Sequence, residues 1–70
     1  MMPLFLADTG KEYTIQRVSG SNDVKKHLED LGFCVGSIIL VVASNNGNLI
    51  LNVKDSRIAI DRFLASKIYV

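Results

Sequence analysis

Residues 20–36, GSNDVKKHLEDLGFCVG, decide the fold, because they hold a helix whose start and stop are both legible. Ser21 or Asn22 can cap the first turn, since either side-chain oxygen can accept from an orphan backbone N–H. Asp23 follows where a negative charge suits the positive end of the helix dipole. Val24, Leu28 and Leu31 recur at i, i+4 and i+7, which makes one apolar stripe rather than a rod buried all round. Gly32 stands where a left-handed residue ends a helix, and Phe33, two beyond the cap, can fold back onto Leu28. The pairs Lys25–Glu29 and Lys26–Asp30 have helical spacing but the weaker orientation, base before acid. A helix this short is marginal alone in water. It must therefore pack on a sheet or across the mouth of a barrel.

The rest of the chain reads as β-strand. EYTIQRVS (12–19) is a strand candidate, with Val18 out of phase with Tyr13 and Ile15; a bulge near Gln16-Arg17 would restore the register. SIILVVAS (37–44) holds an unbroken apolar run and predicts a strand buried on both faces. Asn45-Asn46-Gly47-Asn48 is the strongest hairpin signal. It leads to LILNVKD (49–55), with Leu49, Leu51 and Val53 on one face. Asp55-Ser56 predicts a second turn, RIAI (57–60) another strand, DRFLAS (61–66) one helical turn capped by Asp61, and KIYV (67–70) a terminal strand. Upstream, PLFLADTG (3–10) ends in a turn signal, with Leu4 and Leu6 expected to cover one edge of the core. The expected fold is mostly β: a small barrel of about five strands, one short helix between strands 1 and 2, in a single domain over residues 1–70.

Seventy residues bury only about 60% of the chain's surface on folding, so one small core is the limit. With 49% apolar and 21% charged residues the composition is globular. A net charge of +1, with both signs interleaved, gives no strong pull toward nucleic acid or anionic membrane. The lone Cys34 allows no internal disulfide. PLFLA is too short for a signal or a span, so no direct membrane insertion is expected and the default is a soluble, cytoplasmic protein.

No enzyme site emerges. Phosphate-loop glycine motifs are absent. Cys34 and His27 are the only soft side chains of interest, but His27 lies on the polar side of the helix, and a structural Cys34 is the stronger reading. Asp23 and His27 at i, i+4 would offer a divalent metal two ligands, too few for a closed site, so a solvated helix face is preferred. Lys25, Lys26, Arg57 and Arg62 suggest a basic patch, but Glu29, Asp30, Asp55 and Asp61 interleave with them. The expectation is therefore no nucleic-acid partner.

Gly20, Leu28 and Leu31, the LGF…G stretch (Leu31, Gly32, Phe33, Gly36), the strand Ser37 to Val42, Ile58-Ala59-Ile60, Ala65, Ile68 and Val70 together resemble the FeoA family of bacterial ferrous-iron-transport accessory proteins. The resemblance covers nearly the whole chain. It implies an SH3-like barrel and a cytosolic protein that docks onto the membrane-bound ferrous iron transporter, which carries its own G-protein domain. Similar barrels in diphtheria-toxin-repressor-type regulators keep a metal link in view. The chain departs from the family pattern in having His27 for an Arg, Val35 for a Pro, Asn46-Gly47-Asn48 for a GDP-like turn and Asp61 for an Arg.

The reading is a non-enzymatic adaptor without a resident cofactor, whose docking face comprises Lys25, Lys26, His27 and Glu29 with Cys34 and Val35. Phe33 is weighed as core first, and Val35 as exposed. Two other classes stay open. One is a transition-metal sensor acting through a metal-linked homodimer at His27 and carboxylates, with weak divalent metal. The other is a small RNA-binding barrel.

Overall fold

The computed structural model describes residues 1–70. Its largest unit is a four-stranded antiparallel sheet in the order β1 (Glu12–Thr14), β3 (Ile38–Asn45), β4 (Asn48–Val53), β5 (Ser56–Ile60). The expected reversal joins β3 to β4, with Asn46 and Gly47 at φ 54° and 87°, the left-handed pair that a two-residue hairpin of this twist requires. The next reversal does not fall at Asp55-Ser56. Lys54 and Asp55 make it, at φ 48° and 64°, and Ser56 already pairs with Val53. Register explains the shift. This pairing sets Leu51 opposite Ile58 and Leu49 opposite Ile60, all toward the core. A slip of one residue would turn Ile58 and Ile60 outward.

β3 corrects a second expectation. It is buried on one face only: Ile39 and Val41 are sealed, whereas Ile38 is 61% exposed. Every other element adds its buried side chains to the same cluster as Ile39 and Val41, so nothing remains to cover the sheet's outer face. A chain this short can cover one side of a sheet, not two.

The stretch 12–19 is not a single bulged strand. It divides at Ile15-Gln16 into β1, which pairs with β3, and β2 (Arg17–Val18), which pairs with β6 (Ile68–Tyr69) in a separate two-stranded sheet. The Ile15 amide donates to the Ser37 carbonyl at 2.9 Å, and the Gln16 amide to the Tyr69 carbonyl at 2.8 Å. A change of partner, not a bulge, accounts for Val18 being out of phase. The bulge that does occur lies in β3, between Val41 and Ala43. The count is thus six strands in two sheets, and the main helix lies between the second and third.

At the start of the chain a 3-10 turn over Leu4–Leu6 buries Leu4 fully but leaves Leu6 59% exposed, so only Leu4 covers the core edge. Met2 and Val70 exchange backbone hydrogen bonds of 2.9 Å, which ties the two ends of the chain together.

α1 (Asn22–Asp30) begins at Ser21, whose hydroxyl accepts from the Val24 amide at 3.2 Å. It ends with Gly32 at φ 101°. The Gly32 amide donates to the Glu29 carbonyl and the Phe33 amide to the Leu28 carbonyl, both at 2.9 Å, the paired bonds of a Schellman motif. Leu28 and Phe33 are buried in the core, with Val24 and Leu31 packed against it. A side chain placed at Gly20 would meet Val24 and Lys67, and one at Gly32 would meet Val53 and Lys54. α1 therefore spans from the small sheet to the end of the large one. α2 (Arg62–Ala65) is the expected single turn, with the Asp61 carboxylate accepting from the Leu64 amide at 2.9 Å. No helix is long and apolar enough to cross a membrane.

Candidate functional site

The way α1 ends shapes one wall of a surface cleft. After the Schellman cap, Cys34 to Ser37 form a tight turn: the Ser37 amide donates to the Cys34 carbonyl at 2.9 Å, and Gly36 takes φ 92°. That is the geometry of a type II turn, with Val35 at the position that proline also suits and glycine at the next. Val35 is held at the tip, 66% exposed, as expected for it. Between this turn and the outward face of α1 lies an open cleft of about 230 Å³, lined by Val18, Lys25, Glu29, Phe33, Cys34 and Val35.

Of the docking residues named from sequence, Lys25, Glu29, Cys34 and Val35 surround this cleft. Lys26 and His27 are exposed on α1 but stand outside its walls. Phe33 is core, only its rim reaching the cleft floor. Val18 is a lining residue that the sequence reading misses; its one sequence signal is the break in alternation after Gln16-Arg17.

The charges around the cleft are unpaired. Lys25 and Glu29 form no ion pair, nor do Lys26 and Asp30; the one ion pair in the chain is Lys11–Asp8 at 3.4 Å, on the surface. The basic patch suggested by Lys25, Lys26, Arg57 and Arg62 is dispersed. Arg57 lies on β5, and Arg62 stacks over the Phe5 ring at 5.2 Å. Arg17 and Lys67 likewise sit over Tyr69 and Phe63. Each of these three rings meets a cation of the chain itself, although Phe63 stays 57% exposed.

Neither Cys34 nor His27 takes part in a side-chain hydrogen bond. A thiol nucleophile needs such a partner. Nowhere do three His, Cys, Asp or Glu side chains gather as metal ligands. Asp23 and His27 alone fall short of a closed site, so the donors of one chain do not fit a resident transition metal.

The FeoA domain family matches residues 2–70. A Methanocaldococcus jannaschii protein named "Putative Fe(2+) transport protein A" is 36% identical over 70 residues, covering 100% of this chain and 85% of its own length. A crystal structure of an iron uptake regulatory protein (FeoA) superposes with a TM-score of 0.89 at 25% identity, over 96% of this chain and 91% of that one. Stenotrophomonas maltophilia FeoA, crystallised with zinc and described as an SH3 domain protein, does so with a TM-score of 0.84 at 24% identity, over 99% and 88%. The mostly β, SH3-like expectation holds. Matched from Met2 to Val70 and sharing the two-sheet fold with its helix between β2 and β3, this chain belongs to the FeoA domain family.

Proposed function

We propose that this chain is a non-enzymatic, cytosolic accessory protein of ferrous iron transport, which docks through the α1 cleft onto the cytosolic G-protein domain of the membrane-bound ferrous iron transporter. One observation carries the reading: a relative 36% identical across this whole chain bears an Fe(2+) transport name. The choice of face has its own support. Val35 is a large apolar side chain held out at the tip of a turn, beside two charges with no internal partner. Burying such a side chain fully contributes about 1.5–3 kcal/mol. Lys25 and Glu29 on the rim would set partner choice and encounter rate more than raw affinity. The Ser37 amide on the Cys34 carbonyl at 2.9 Å and the Gly36 amide on the Ile15 carbonyl at 2.8 Å fix the turn before any partner arrives, so little ordering cost remains at docking. Ferrous iron enters as the transporter's cargo.

Calorimetric binding to the purified cytosolic domain of the transporter tests both halves. Wild type is expected to bind. Val35→Asp and Lys25→Glu should weaken binding at least about tenfold through a buried or like-sign charge. Lys11→Glu, which disturbs only a surface pair, should bind as wild type does. Equal affinity for all four proteins overturns the cleft as the docking face, and absence of wild-type binding overturns the partner.

A further inference from the structure

The outer face of the four-stranded sheet carries an ordered pattern that the α1 cleft does not use. Directly opposed residues on neighbouring strands point to the same side of a sheet. The pairings Glu12↔Leu40, Leu40↔Asn52 and Asn52↔Arg57 therefore make one row across all four strands. Their neighbours Ile39 and Val53 are sealed in the core, so this row faces out. It has an acid at one end, a base at the other, and Leu40 and Asn52 between. A second row, Ala43↔Ile50↔Ala59, floors an apolar trough of about 200 Å³ on the same face. Ile38 also lies out here, 61% exposed.

Both end charges are free. Glu12 has no cation within ion-pair distance and Arg57 no carboxylate. Arg57 is held by a neutral acceptor, its Nε donating to Asn52 Oδ1 at 3.2 Å.

A row with opposite charges at its ends matches its own reversed image. A two-fold axis running along the strands, between β3 and β4, lays the row against itself end for end. Glu12 then meets Arg57 of the second copy, and Arg57 meets Glu12. In the second row the bulky Ile50 comes opposite the small Ala43, twice by symmetry. This is the condition an isologous contact must satisfy. We infer that this sheet face pairs two copies of the chain about that two-fold axis. Because the face holds both signs of charge in balance, a strongly acidic or basic partner has no complement on it.

The size of the face sets the strength. Four strands about 4.8 Å apart and about five residues long cover roughly 300 Å² per copy. That is well under the roughly 800 Å² per partner of a standard stable interface. The association is a weak one, visible at high protein concentration. It shares no residue with the α1 cleft, so its failure leaves the proposed function untouched.

Sedimentation equilibrium from about 10 µM to about 2 mM reads the weak-affinity range directly. Wild type is expected to shift from monomer toward dimer as concentration rises. Glu12→Arg alone and Arg57→Glu alone each oppose like charges twice, and each should dimerise at least about tenfold more weakly. An equimolar mixture of those two variants should recover dimer, because the introduced arginine then faces the introduced glutamate, and native Arg57 faces native Glu12, across the same axis. The double variant Glu12→Arg/Arg57→Glu should dimerise as wild type does. Far-ultraviolet circular dichroism and melting of each variant confirm folding. Wild type remaining monomeric up to about 2 mM overturns the inference. So does a mixture that stays monomeric while wild type dimerises.

Discussion

The amide of Phe33 donates to the carbonyl of Leu28 at 2.9 Å, and both side chains are buried in the same core. This bond closes α1 and starts the turn that carries Val35. The stability of the fold and the shape of the cleft therefore meet at one helix end.

Gly32→Ala should destabilise the protein by about 1–2 kcal/mol, because Gly32 holds φ 101°, where a Cβ is strained. Room is not the obstacle: the added carbon would meet Val53 methyls at an ordinary 3.8 Å. Urea unfolding followed by circular dichroism should show a lower midpoint with an unchanged slope.

Phe33→Ala removes the largest fully buried side chain and should cost about 3–5 kcal/mol. A domain of this length has only about 4–10 kcal/mol in total. Thermal melting should show a sharply lowered midpoint, and a midpoint within a few degrees of wild type would contradict the core role.

The two helix caps should behave alike. Ser21→Ala and Asp61→Ala each remove the acceptor of a helix-start amide, from Val24 and Leu64 respectively. Each should cost about 1 kcal/mol in chemical denaturation.

The β4–β5 turn offers a gain. Lys54 and Asp55 both hold positive φ without being Asn or Gly. Replacing the pair with Asn-Gly, the residues this turn type prefers, should stabilise by about 1 kcal/mol and raise the melting temperature by about 4–8 °C in calorimetry.

Zinc at one equivalent should leave the melting temperature unchanged, since no three ligand side chains converge and only a native-state site would stabilise by mass action. A clear upward shift, lost in His27→Ala, would restore the metal-linked reading.

Much of α1 was legible because its signals are local. The Ser21 cap, the stripe through Leu28 and the Gly32 stop each act between residues no more than four or five apart, as do Asn46-Gly47 and the Asp61 cap. The cleft was half legible. Val35 stood out at a turn, but only the tertiary fold brings Val18 to the cleft and leaves Lys26 and His27 outside its walls.

By itself the amino-acid sequence determined that there would be a main capped helix stopped at Gly32, a short turn of helix capped by Asp61, strands around them, and a reversal at Asn46-Gly47, since backbone sterics and short-range hydrogen bonds settle these. Only the tertiary structure decided that residues 12–19 split between two sheets, that Ile38 faces outward, that the β4–β5 turn falls on Lys54-Asp55, and that Glu12 and Arg57 end one row. Those outcomes depend on which strand pairs with which and on what covers each face. Burial of the shared core selects that register over the whole chain, and no short window of residues contains it.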